Sequence, residues 1–303
     1  MNWAKFMTQY SAPTAAAFVR ATQNWGTTDR KDQTAFNVAT DSTIPFFDFF
    51  AKTSELVNCF VSYMKSVQAS RGTSLKHLLA GFDWADPGEA LIVDVRLHQN
   101  TTLRLEVENS LTVRIGRRIH LHRQHRTSRG LLPSSDSSSR ISRTPYPTAV
   151  TCSPRIPPAR ASPLEVMISS RRKPVRDADV YLLRMILHDW PSAAAIAILQ
   201  NQLPALRADP NARLMIVDTV LPLPGSASPV DEALLRVHDL TMIQTFNSKE
   251  CELGEFEELF SKANDQAGCL TLKNVVKPPG SAMSVMEVAY QPYRREGTVS
   301  NGV

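Results

Sequence analysis

Cysteine is sparse: Cys59, Cys152, Cys251 and Cys269 are scattered over 303 residues without a single C-x-x-C pair. That spacing fits reduced, mostly buried thiols better than a disulfide framework or a zinc site. Long apolar runs are missing as well. No stretch approaches the roughly 18 apolar residues of a membrane-spanning helix. The opening MNWAKFMTQY has no basic-then-apolar leader pattern, and the closing SNGV is no retention or lipidation signal. A cytoplasmic protein with no membrane partner is the expectation.

Lysine is absent from residues 96–172, whose positive charge comes from arginine alone. The chain carries a net +5, yet this segment holds 14 arginines against four acids, while the other 226 residues hold 20 basic and 25 acidic groups. The segment is therefore +10 and the remainder −5, so the basic character belongs to one stretch and does not make the whole chain a nucleic-acid binder. The same stretch has no Phe, no Trp, one Tyr (Tyr146), twelve serines and seven prolines. It buries too little apolar surface to offset an ordering cost of roughly 1–2 kcal/mol per residue, and we expect most of it to be poorly ordered. Its run RIGRRIHLHRQHRTSR holds His120, His122 and His125 with no accompanying acid or cysteine among repelling arginines, so no metal site is assigned. No aromatic interleaves the arginines for base stacking either.

What is present reads as alternating elements. Residues 1–80 are helical in pattern, with Leu56, Phe60, Met64 and Val67 at helical spacing and a second short helix around Leu75, Leu78 and Leu79. Glu89 to Val95 reads as a buried strand entered through the turn Asp86-Pro87-Gly88. Beyond residue 173 the spacing predicts strands at 179–187, 214–221, 269–276 and 284–290. Helices are predicted at 191–206, 231–246 and 255–263. Strand, helix, strand at these lengths predicts a largely parallel sheet with helices on both faces, of the doubly wound α/β class, its last two strands pairing as a hairpin.

The most informative stretch is LLRMILHDWP, Leu182 to Pro191. An apolar strand stops at His188, Asp189 and Trp190, and a proline then opens a helix. An imidazole at the carboxyl end of a buried strand stands where open α/β sheets bind ligands, which makes His188 the first candidate for a catalytic base.

These residues, with IVDTVLP (Ile216 to Pro222) and NSKE (Asn247 to Glu250), resemble the cation-independent, S-adenosylmethionine-dependent O-methyltransferases of plants and fungi, particularly the fungal secondary-metabolite enzymes. QTAFNVATDSTIPFFDFF and HLLAGFDWADPGEALIVDV resemble the region before that family's cofactor motif, so the likeness covers about residues 3–95 and 173–291. It implies a Rossmann-like methyltransferase domain over 81–291. A truncated helical region for substrate binding and dimerisation over 1–80 would precede it, and a flexible tail over 292–303 would follow. It implies His188 as general base, with Asp218 and Glu250 flanking and orienting the ring. Asp94, Arg184, Asp189 and Trp190 fall on the cofactor side, and Phe60 and Met64 on the pocket for a small aromatic acceptor. A homodimer is implied too, weakened by the short amino terminus.

One family feature is missing. A glycine-rich turn should follow the V-D-V strand, with an acid about 25 residues after its aspartate. Here Val93-Asp94-Val95 leads into Arg96-Leu97-His98-Gln99-Asn100, no glycine occurs until Gly116, and Ile119, His120 and Leu121 stand near the expected acid. Both flanks keep the family register, so residues 96–172 read as the product of a shifted reading frame or a mispredicted splice. Translating the underlying DNA in its other two frames tests this, and absence of a G-x-G-like turn in both defeats it. Two rival classes follow: a noncatalytic protein of the same fold that no longer holds the cofactor, and a basic nucleic-acid binder. Loss of salt-sensitive DNA retention on deleting the segment would mark the latter.

Overall fold

The computed structural model describes residues 2–84, 91–95, 105–107, 111–115, 119–123 and 178–293. The amino-terminal helices come first: α1 (Asn2–Phe6), a π-helical turn, α2 (Ala12–Ala16), α3 (Phe18–Trp25), α4 (Ala35–Thr40), α5 (Phe46–Phe50), α6 (Ser54–Gln68) and α7 (Lys76–Ala80). Local chemistry sets their ends. Thr34 and Asn37 form a reciprocal capping box at α4, and the Thr53 hydroxyl accepts from the Leu56 amide at the start of α6. Phe6, Phe36, Phe46, Phe50 and Cys59 form one buried cluster with Phe246, and Phe60 and Tyr63 pack against it. Edge-on and stacked ring pairs, such as Phe6 on Tyr63 at 4.1 Å, replace a regular helix bundle.

The strands follow: β1 (Leu91–Asp94), β2 (Leu105–Val107), β3 (Leu111–Ile115), β4 (Ile119–Arg123), β5 (Val180–Arg184), β6 (Arg213–Asp218), β7 (Val220–Leu221), β8 (Cys251–Glu252), β9 (Gly268–Val276) and β10 (Ser284–Pro292). Interleaved with them run α8 (Ser192–Gln200), α9 (Leu203–Ala208), α10 (Pro229–Phe246) and α11 (Leu253–Lys262). The main sheet has the order β2-β3-β4-β1-β5-β6-β10-β9. β1, β5 and β6 run parallel at its centre, while β4 meets β1 and β10 meets β6 antiparallel. The parallel arrangement read from the sequence holds for those three strands, and β9 and β10 form the expected hairpin. Within residues 96–172 the structure describes only the backbones of β2, β3 and β4, an antiparallel meander. The rest of that segment, and residues 294–303, lie outside the described residues.

Alternation along the central strands buries both faces. Tyr181, Leu183, Leu214 and Ile216 point to the face covered by α8, α9 and α11, where Ile198, Leu199, Leu206, Phe256 and Phe260 complete the larger core. Val180, Leu182, Met215 and Val217 point the other way, onto Leu78 of α7 and Val285. α7 comes close: a Cβ at Gly81 would lie 2.4 Å from Val285 Cγ2, so only glycine fits there without displacement.

Two sequence expectations are corrected. The helix read over 191–206 is two helices split at Asn201 and Gln202, because Pro204 has no amide to give the Gln200 carbonyl and its ring would crowd it. The strand read over 214–221 ends at Asp218. Val220–Leu221 belongs to a separate two-stranded parallel sheet with Cys251–Glu252. Among the described residues no helix is long and apolar enough to cross a membrane.

Candidate active site

The strand read over 179–187 is also shorter than expected, and the reason shapes the site. Met185 takes a left-handed φ of 54°, rare for a side chain of its kind, while its amide still donates to the Val217 carbonyl at 2.9 Å. The chain therefore leaves the sheet immediately after Arg184 and folds into a 3-10 turn over Leu187–Asp189. His188 sits on that turn. Such local strain is characteristic of functional turns.

Asp218 arrives from the carboxyl end of β6, the neighbouring parallel strand. Its Oδ2 accepts from the Leu187 amide at 3.2 Å, and its Oδ1 lies 3.3 Å from His188 Nδ1. Glu250 arrives by a second device. The small sheet pairs Val220 with Cys251, so the residue before β8 is drawn towards the residues just before β7. Glu250 Oε1 then stands 3.0 Å from the same Nδ1, and the Glu250 amide donates to Asp239 Oδ1 on α10 at 3.0 Å. Asp189 Oδ1 lies 3.6 Å from the opposite ring nitrogen, Nε2. Asp218 and Glu250 are fully withdrawn from solvent and His188 nearly so, with 0%, 2% and 9% of their surface exposed.

The electrostatics follow from that burial. Loss of solvent opposes a charged imidazole, but Asp218, then Glu250, then Asp189 outweigh it, and the His188 pKa is held well above its usual value. Burial pushes the Asp218 carboxyl up to about 7 against the counter-pull of His188. Asp189 is raised by burial as well. Asp218 Oδ1 and Glu250 Oε2 have no conventional hydrogen-bond partner, so both carboxylates keep acceptor capacity directed at the ring's surroundings. The ligand atoms of His188, Asp218 and Glu250 lie within 4.8 Å of one another, close enough to hold a metal ion, although the same contacts are those of a base with two orienting acids.

The remaining residues named from the sequence fall as follows. Asp94 is placed by its backbone at the end of β1, opposite Leu182, and the Val95 amide continues the ladder to the Leu182 carbonyl. Arg184 ends β5, and its guanidinium donates to the Thr73 carbonyl. Trp190 is buried in the larger core. Phe60 belongs to the aromatic cluster of α1, α5 and α6, and Met64 follows one turn later on α6, partly buried. A cavity of about 360 Å³ is lined by His188, Trp190, Phe18, Ser248, Ile243 and Phe256 among others. Sequence reasoning missed three contributors: Met185, Ser248, whose hydroxyl donates to the His188 carbonyl, and Lys31, whose ammonium donates to the Asp189 carbonyl at 2.5 Å. Ser248 lay within the NSKE motif and was available to find; Lys31 carried no local signal.

Residues 155–265 match the family model of the O-methyltransferase domain. That match starts inside the segment that we read as out of frame, so its final residues keep family character. Over 290 residues the chain is 37% identical to O-methyltransferase VdtC of Byssochlamys spectabilis, covering 95% of this chain and 61% of VdtC. Over 288 residues it is 35% identical to O-methyltransferase pgmB of Aspergillus terreus, covering 95% of this chain and 74% of pgmB. The chain belongs to the O-methyltransferase family. It spans only about three fifths of the length of VdtC. Among solved structures, this O-methyltransferase chain is similar in fold to the mitomycin 7-O-methyltransferase MmcR, with a TM-score of 0.57 at 14% identity, covering 96% of this chain and 71% of MmcR. It is similar also to LepI in complex with SAM, with a TM-score of 0.55 at 19% identity, over 95% of this chain and 66% of LepI. A further neighbour at the same score is described as a pericyclic reaction enzyme, so fold alone does not decide the chemistry.

Proposed function

We propose that the chain is an S-adenosylmethionine-dependent O-methyltransferase acting on a phenolic hydroxyl of an aromatic secondary metabolite, with His188 as general base. The observation that carries this reading is the asymmetry of the imidazole. Nδ1 is held by Glu250 at 3.0 Å and Asp218 at 3.3 Å, which fixes a proton on that nitrogen and leaves the Nε2 lone pair for an acceptor hydroxyl.

A phenol with a pKa of about 10 is a weak nucleophile at neutral pH, and its phenolate a good one. Nε2 takes the phenolic proton, and the resulting imidazolium is neutralised by the two buried carboxylates as it forms. Asp218 does a second job through Oδ2, tying the Leu187 amide and so the position of the whole turn. When bound, S-adenosylmethionine supplies an electrophilic sulfonium methyl. Its zwitterionic amino-acid end calls for one acid and one cation. Asp94 and Arg184, at the carboxyl ends of adjacent parallel strands, are the residues that would hold it, with Asp189 and Trp190 on the same edge. In the family this chain resembles, glycines follow this strand, whereas the sequence here reads Arg96-Leu97-His98. Phe60 and Met64 are assigned to the acceptor side. The enzyme would act in the cytoplasm on a free small molecule, with no nucleic-acid or membrane partner.

The experiment is methyl transfer from S-adenosylmethionine to a panel of hydroxynaphthoates, read by mass spectrometry beside calorimetry with S-adenosylhomocysteine. Hydroxynaphthoates are a rational first probe because NcsB1, which shares the fold at a TM-score of 0.53 and 17% identity, is described in complex with 2-hydroxy-5-methyl naphthoic acid. A methylated product that disappears in His188→Ala supports the reading. No binding of S-adenosylhomocysteine at millimolar concentration overturns it in favour of a noncatalytic protein of the same fold.

A further inference from the structure

Lys31 is a partly buried cation that touches the turn bearing His188, and the chemistry above does not use it. It comes from the loop joining α3 to α4, far from the turn in sequence. Its Nζ lies 3.2 Å from the centroid of the Trp190 ring, 5.5 Å from that of Phe246 and 6.0 Å from that of Phe47. Those rings form a set of their own: Phe47 stacks on Phe246 at 5.3 Å and on Trp190 at 6.4 Å. Within this cage the ammonium donates to the Asp189 carbonyl. An ammonium gains from ring faces most where water is excluded, and the carbonyl supplies the directed contact.

The loop is braced so that Lys31 cannot easily withdraw. Asn247, at the left-handed end of α10, donates through Nδ2 to the carbonyls of Arg30 at 2.6 Å and Gln33 at 3.0 Å, on either side of Lys31. The next residue, Ser248, holds the His188 carbonyl. The two consecutive carbonyls of the His-Asp pair are therefore fixed by two different segments, one of them belonging to the amino-terminal helices. The charges that bear on Lys31 are Asp189 from the turn and Asp48 from α5. Burial outweighs them and pushes the ammonium down to about 7, so it titrates in the working range of an enzyme.

We propose that Lys31 is a positioning residue of the methyl-transfer site: its caged ammonium latches the amino-terminal helices onto the turn that carries His188. The proposal rests on the functional reading above only for its effect on turnover. The latch itself is a property of the chain without ligand. Protonated Lys31 holds Asp189 and Trp190 in place, and the neutral amine, which gains far less from the ring faces, holds them weakly. Arginine at this position stays charged across the range.

Hydrogen–deuterium exchange of the amides of Asp189 and Trp190 in the ligand-free chain, which donate to the Ile186 and Leu187 carbonyls, corrected for intrinsic rates, tests it. Wild type should lose protection as pH rises through about 7. Lys31→Met should be unprotected at every pH, and Lys31→Arg protected at every pH. Arg30→Met, on the same loop but outside the cage, should behave as wild type. In turnover, Lys31→Met should lower kcat by about tenfold to 10²-fold, the scale of a small misplacement of a reacting group, with acceptor KM little changed. Lys31→Arg should recover most of the loss. Unchanged protection in Lys31→Met, or equal loss in Arg30→Met, overturns the latch. If Lys31→Met does not fold, the wild-type titration beside Lys31→Arg decides alone: a pH dependence common to both overturns it. Protection that follows the prediction in a chain without turnover would keep the latch and reject the methyltransferase reading.

Discussion

Asp218→Asn isolates the electrostatic contribution of Asp218, because asparagine keeps an oxygen for the Leu187 amide while losing the charge. In the native site Asp218 Oδ1 lies 3.3 Å from His188 Nδ1. Two full charges at that separation attract by roughly 5 kcal/mol at an effective dielectric constant of about 20. Two consequences follow. Imidazolium forming during proton transfer loses part of this stabilisation, so the limiting kcat falls by about tenfold to 10²-fold. The pH dependence moves as well. A base works only when neutral, and the carboxylates raise the His188 pKa, so activity climbs as pH rises through a value above 6.5. Removing Asp218 removes the strongest of the raising influences, and the rising limb of the profile moves to lower pH. The assay is initial-rate methyl transfer from pH 5.5 to 9.5 at saturating substrates. A limb that stays in place, or moves to higher pH, refutes the assignment of Asp218 to the imidazole.

Leu199→Ala, in the fully buried face of α8, should cost about 2–5 kcal/mol of stability, read as a lower midpoint in urea, while leaving the His188 contacts in place. Treatment with a chelator should leave turnover unchanged. A loss restored by added divalent metal would mean that His188, Asp218 and Glu250 act as ligands rather than as a braced base. Glu250→Gln should lower kcat in the same direction as Asp218→Asn. The double variant should fall short of the product of the two losses, because both act on one nitrogen.

The sequence disclosed the parts of the site that lie next to one another along the chain. The stop at HDWP located His188, and the apolar strands before it and before Asp218 made those two residues neighbours as soon as the strands were taken as parallel. Glu250 came only from likeness to a family, since the device that delivers it, a two-residue strand at Val220 pairing with another at Cys251, is too short to leave a periodic signal. Met185 was illegible for a different reason: a left-handed φ in a residue other than glycine is imposed by its surroundings, not by its own preference. Lys31 was hidden because its partners, Phe47, Asp189, Trp190 and Phe246, come from three separated elements. The helix read through Pro204 shows the opposite failure, where an apolar pattern outweighed a residue that should have been taken as a break.

Whether the Nε2 atom of His188 removes the acceptor's proton is measured most directly by single-turnover methyl transfer in His188→Ala, with S-adenosylhomocysteine affinity measured on the same preparation. The expected rate is lower by about 10² to 10⁴ with cofactor affinity retained. A near-normal rate at normal affinity would contradict it.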